Sequence, residues 1–219
     1  MLSAENLAAI ESEGRRLAIT ARREPDRAVP QYPGWSLSDL IAHTGSIHRR
    51  TTTVVVERPS ERIPAPTPSP DVDVIEWYEA GLDEMLAALT DADPDTPCWA
   101  FGPRQCVGVW ETRMVIETGV HRWDAYQAFG EEDRLIDRVA AAGLDEFADM
   151  WLPRLPDLSG LEVVADDLGR SWAYGPAPRA IVTGTSSDIY LRLMSRPSPV
   201  ELPDDWAAAV DALSTPAKG

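Results

Sequence analysis

Two cysteines in 219 residues are too few for a disulfide framework, and in a reducing compartment Cys98 and Cys106 stay thiols. Basic residues are also scarce: 20 lysines and arginines stand against 36 aspartates and glutamates, a formal charge of −16. A surface of that sign repels phosphate, which excludes a nucleic-acid partner. It also opposes any anionic substrate not met by a local arginine pocket. No apolar run approaches the roughly 18 residues of a membrane-spanning helix, so no membrane span is expected. The segment Met1-Leu2-Ser3-Ala4-Glu5-Asn6 carries an acid where a signal peptide carries bases, and no apolar h-region follows. A cytoplasmic location is therefore expected. Histidine occurs three times, so any histidine-based site must draw on His43, His48 and His121.

What is present is enough for a proper core. Hydrophobic residues make up 44% of the chain, well above the range of disordered sequences. The length suits one large or two small domains. From Leu2 to Arg22, apolar residues at Leu7, Ile10, Leu17 and Ile19 mark an amphipathic helix. Pro30, Pro33 and Gly34 break the chain. Ser36 with Asp39 three residues on forms a capping-box start, and a helix follows through Leu40, His43 and Ile47 to about Val55. Five prolines between Pro59 and Pro70 predict an extended linker. Asp71 or Asp73 caps a third helix, with Val74, Trp77, Tyr78, Leu82, Met85 and Leu89 at helical spacing. After an irregular stretch from Asp91 to Gly108, a fourth helix runs from about Val109 to Phe129 and stops at Gly130. A fifth spans about Asp133 to Trp151.

After Pro153–Pro156 the texture changes. Leu161–Val164, Ser171–Tyr174 and Ala180–Thr183 read as short strands separated by turns. Thr185 to Asp188 caps a helix through Ile189 and Leu193, and a last helix runs from Asp204 to Leu213. The expected fold class is mainly α: an up-and-down four-helix bundle over residues 1–152, then a small α+β domain over residues 157–219.

The chemistry concentrates in Glu117-Thr-Gly-Val-His121. A spacing of four residues in a helix puts both side chains on one face, one turn apart. Carboxylate and imidazole can then converge on one ion at roughly 2.0–2.2 Å, as zinc prefers. A third ligand from the helix carrying His43 and His48 would leave an open coordination position, the mark of a catalytic metal. The plainer alternatives are a solvated Glu–His pair and a hydrogen-bonded core histidine. His48 lies about 140° round the helix from His43, so the two do not serve one metal, and His48 is expected at the surface or behind a ligand. Asp124, three residues after His121, either orients that histidine or pairs with an arginine such as Arg113. Trp35 reads as a hydrophobic staple or a cofactor contact, and Cys98 and Cys106 as idle thiols or, less simply, a ligand.

Pro33-Gly-Trp-Ser-Leu-Ser-Asp-Leu-Ile-Ala-His43, with Arg113-Met-Val-Ile-Glu117-Thr-Gly-Val-His121-Arg-Trp-Asp-Ala125, resembles the mycothiol-dependent maleylpyruvate isomerase family. That family belongs to the DinB-like metal-binding four-helix bundles of actinobacteria. The resemblance covers the chain in outline and implies His43, Glu117 and His121 as ligands of a divalent metal, usually zinc, with nickel, iron or cobalt compatible with the same donors. It implies mycothiol, a low-molecular-weight thiol, as cosubstrate. In the isomerase, the thiolate adds to an activated cis double bond, the resulting single bond rotates, and elimination gives the trans isomer. In related S-transferases the thiolate attacks an electrophile and stays attached. A dicarboxylate substrate needs arginines. The family draws one from its C-terminal domain, where Arg192 and Arg196 are the candidates here; Arg49 and Arg50 are others. The implied partners are a small-molecule substrate and the thiol, for a monomer or homodimer. Two other readings stay open: a non-catalytic bundle binding a small ligand or partner protein, with metal absent or structural, and a zinc-water hydrolase using Asp124 or Glu111 as base.

Overall fold

The computed structural model describes residues 3–155 and 157–212. Within them the chain forms two compact units, Met1–Asp133 and Arg134–Gly219. The first holds four α-helices: α1 (Ala4–Arg23), α2 (Leu37–Glu57), α3 (Val74–Thr90) and α4 (Val107–Gln127). The second holds α5 (Asp137–Met150), a 3-10 turn at Leu152–Arg154, strands β1 (Gly160–Ala165), β2 (Arg170–Tyr174) and β3 (Arg179–Gly184), then α6 (Ser186–Leu193) and α7 (Asp204–Asp211). This is a DinB-like four-helix bundle followed by a small α+β unit. Met1, Leu2, Pro156 and Leu213, named in the sequence reading, lie outside the described residues.

Helix starts follow local chemistry. Ser3 accepts from the Asn6 amide at the head of α1, and Asp73 accepts from the amides of Ile75 and Glu76 at the head of α3. The expected capping box is present at α2, where Ser36 and Asp39 bond reciprocally. Buried faces then hold the bundle: Ile10 and Leu17 of α1, Leu40 and Val54 of α2, Tyr78, Leu82 and Met85 of α3, and Trp110 and Met114 of α4. Ile19 departs from the expected stripe and is 62% exposed. It sits nine residues after Ile10, which turns it away from the Ile10–Leu17 face by the 100° step per residue.

Cross-helix partners fix the directions. Arg122 meets Glu13 and Tyr126 meets Arg16, so α4 runs parallel to α1. His48 meets Thr118 while Thr51 meets Met114, so α2 runs antiparallel to α4. Arg49 lies against Trp77, Gly81 and Glu84, with Gly45 against Trp77, so α2 and α3 are parallel. The helices thus run up, down, down, up. The proline-rich connection from Arg58 to Asp73 makes this possible. At about 3 Å per extended residue it outruns the roughly 30 Å length of α2.

In the second unit, β1 is central, antiparallel to β2 and parallel to β3. The short link from β2 to β3 crosses the end of β1 at Gly160, where a Cβ would strike the Pro178 carbonyl at 2.7 Å. Leu161, Val163 and Ala165 are wholly buried. The helix over Asp137–Met150 was expected within a domain ending at residue 152, but it packs on α6, β2 and the 3-10 turn. Its apolar side, with Leu144 and Phe147 buried, meets Tyr174 and Tyr190.

Candidate metal centre

Two of the antiparallel helices meet at one point through three side chains. The capping box sets the start of α2, so His43 falls in its second turn on the side facing α4. Glu117 and His121 occupy successive turns of α4. The Oε1 atom of Glu117 lies 3.4 Å from Nε2 of His43 and 3.1 Å from Nε2 of His121. One ligand atom from each of the three residues lies within 4.8 Å of the others. Donors held 2.0–2.2 Å from a tetrahedral ion stand roughly 3.3–3.6 Å apart, so two imidazole nitrogens and one carboxylate oxygen come close to that spacing and are of the kinds that could hold a divalent ion.

The groups around the trio keep these donors aimed. Asp124, wholly buried, faces Nδ1 of His121 at 3.1 Å through Oδ2, the ring edge opposite Glu117. Arg113 donates to Oε2 of Glu117 at 3.0 Å, leaving Oε1 to the histidines. Burial would raise the Glu117 pKa, but the hydrogen bonds and charge of His121, then His43 and Arg113, hold it well below the usual carboxylate range. For His121, desolvation lowers the pKa, and the opposing bonds to Asp124 and Glu117 carry it up to about 9. The loop before α2 forms one wall. Turns joining Val29, Tyr32 and Trp35 through their backbones place Tyr32 5.7 Å from the His121 ring and Trp35 5.2 Å from His43. The His43 side chain keeps 26% exposure, the most open of the three.

The structure separates the other sequence candidates. His48 is not at the surface: it is wholly buried, with Nε2 2.9 Å from the Thr118 hydroxyl, next to a ligand candidate along α4. Of the two roles open to Asp124, its carboxylate takes up His121, while Arg113 turns to Glu117. Trp35 is buried and stacked on Tyr32 as well as facing His43. Cys98 and Cys106 are buried free thiols outside the trio. Glu111, two turns earlier on α4, accepts from the Ser3 amide at 2.7 Å. Arg49 is committed to Glu84 and the Trp77 carbonyl. Arg192 pairs with Asp211 through both terminal nitrogens, and Arg196 donates to the Met194 carbonyl. Tyr32 went unnoticed in the sequence; its only signal there was its place between Pro30 and Pro33.

Residues 7–126 match the family model of the mycothiol maleylpyruvate isomerase N-terminal domain, a span that includes His43, Glu117 and His121 and more than half of the chain. The chain belongs to this family. No curated protein sequence matches it. Two crystal structures share its fold: mycothiol-dependent maleylpyruvate isomerase, with a TM-score of 0.68, and a histidine-to-alanine mutant of it, with a TM-score of 0.71. Each is 14% identical and the match covers 91% of this chain and 94% of the other. At that identity the likeness is one of fold. The family region ends inside α4, so Arg192 and Arg196 lie outside it.

Proposed function

We propose that the protein is a metal-dependent enzyme that activates a low-molecular-weight thiol, mycothiol, for cis–trans isomerisation of a maleylpyruvate-like substrate or for S-transfer to a small electrophile. One observation carries this reading: two histidine Nε2 atoms and one carboxylate oxygen, from facing helices, converge at metal-ligand spacing. His43, Glu117 and His121 would hold zinc or another divalent ion. A cation held there would lower the pKa of a thiol so that it could act as thiolate near neutral pH.

The chain's own residues supply the rest. Asp124 accepts from Nδ1–H of His121 and so leaves the Nε2 lone pair free to ligate. Arg113 neutralises the second oxygen of Glu117, which would otherwise be a buried bare charge. Tyr32 and Trp35 form an apolar wall that limits water at the open side of His43. In isomerisation, addition of the thiolate forms a C–S bond as the C=C π bond opens. Rotation and elimination break that bond and return the thiol unchanged. In S-transfer the C–S bond persists. Arg192 and Arg196 enter the proposal as contacts for a substrate carboxylate, each tested by replacement with glutamine and a KM measurement.

Elemental mass spectrometry tests the reading on protein purified without chelator or immobilised nickel. The expected result is about one divalent ion per chain, lost in His121→Ala. Mycothiol with a cis-enol-acid then separates the two reactions: free thiol recovered with a trans product marks isomerisation, and sulfur retained in the product marks transfer. Protein that neither carries nor takes up a divalent metal would overturn the proposal.

A further inference from the structure

Among the described residues two arginines are buried, and they are treated in opposite ways. Arg122, wholly buried, is bonded to Glu13 and Asp133. Arg50, only 6% exposed, has no ion pair or hydrogen bond, and its Nε is sealed from solvent without a partner. Its guanidinium lies instead 5.5 to 6.0 Å from the ring centres of Trp99, Phe101 and Trp110. Those three rings pack on one another at 4.9 to 5.4 Å, and the Trp110 indole donates to the Trp99 carbonyl at 2.7 Å. The aromatic box is therefore built, not adventitious. It attracts the cation through the ring faces but offers no acceptor for the guanidinium donors.

Arg50 lies seven residues after His43, which places it on the same face of α2 and about 10 Å further along. It feels the charges of Glu117, Arg62 and Arg113. That neighbourhood holds three cations against one carboxylate, and Glu117 already faces two histidines and Arg113. In a chain of net charge −16, such a local inversion of sign is the pocket an anionic substrate requires. An unpaired buried cation is expensive to maintain, and a planar carboxylate is the partner its forked donors fit best.

From the orphaned Arg50 guanidinium in its aromatic box beside the His43–Glu117–His121 trio, we infer that Arg50 is the anchor for a carboxylate of the small electrophilic substrate. The trio lies to one side of that anchor, about 10 Å back along α2, so the substrate would be held by its acid group with its reactive carbon toward the trio. This deepens the function proposed above and rests on it for the identity of the ligand, but the anion site itself can be read without the metal.

Calorimetric titration with succinate, an unreactive dicarboxylate, tests it on the full chain in metal-loaded and chelator-treated forms. Metal content is recorded on the same samples. The expected result is binding in both forms, weakened at least tenfold in Arg50→Met and several-fold in Arg50→Lys, with Arg49→Met unchanged. Melting temperature should not fall in Arg50→Met, because the replaced charge has no ion pair or hydrogen bond to lose and the methionine stem keeps the packing against the rings, while the cost of burying a bare charge is removed; an arginine held for stability would lower it. Should both Arg50 variants fail to fold, succinate protection of Arg50 from phenylglyoxal, read by mass spectrometry on the wild type, decides the matter. Wild-type affinity in Arg50→Met, absence of protection, or succinate binding that vanishes with the metal would overturn the inference. Absence of metal with Arg50-dependent binding intact would overturn the function and leave the anion site standing.

Discussion

Asp124 and His121 face each other at 3.1 Å across the ring edge opposite Glu117. One turn of α4 carries both, so their geometry is set by the helix rather than by tertiary packing. Asp124→Asn keeps the size but no longer offers two acceptor oxygens and a charge. It should weaken zinc binding by about 10–100-fold, measured by competition with a chromophoric chelator. Wild-type affinity in the variant would mean that Asp124 does not orient the ligand.

His48 makes stability depend on pH. Desolvation in its fully buried site is the largest influence and takes its pKa down from 6.5 to about 3. The unfolded chain therefore binds a proton on this residue between those values while the folded one does not. The stabilising contribution is complete above pH 6.5 and is lost as pH falls toward 3, at up to about 1.4 kcal/mol per pH unit. Urea melts of wild type and His48→Gln from pH 7 to 4 should diverge in slope, with the variant the flatter. Parallel slopes would show that His48 accepts a proton without unfolding.

Arg122 and Glu13 tie α4 to α1 through a buried bond of 2.6 Å. Removing Arg122 leaves the buried Glu13 carboxylate to the partly exposed Arg16, so Arg122→Met should destabilise by up to about 3–5 kcal/mol. The double change Arg122→Met with Glu13→Gln should cost less than the sum of the single changes. Denaturant melts of the four proteins measure the coupling, and simple additivity would show that the pair is not mutually dependent.

Gly45 lets α2 and α3 approach closely, since a Cβ there would lie 2.6 Å from Cζ3 of Trp77. Alanine gains helix propensity of up to about 1 kcal/mol, yet overpacking of about 1–3 kcal/mol outweighs it. Gly45→Ala should therefore lower the melting temperature. A rise would show that Trp77 moves aside freely.

Much of the site was legible because its parts are local. A glutamate and a histidine four apart on a helix share a face whatever the helix packs against, and Ser36 with Asp39 fixes where the second helix starts. Arg113 was harder: Glu117 lies four residues on in α4, but only the packed site shows that Arg113 takes it rather than Asp124. Arg49 and Arg50 were equivalent on paper. They are neighbours 100° apart on one helix, and packing turns the first toward Glu84 and the second into the aromatic box formed by Trp99, Phe101 and Trp110.

The sequence by itself determined the helices, their caps, the three short strands and the Glu117–His121 pair, because each depends on residues within a turn or two of one another. Tertiary structure decided which helices are neighbours, that α5 belongs with the sheet, that His48 is buried, and that Tyr32 and Trp35 stand against His121 and His43. Those outcomes rest on contacts between segments tens of residues apart. Which apolar face meets which is settled by the fit of whole surfaces, a property no short stretch of sequence carries.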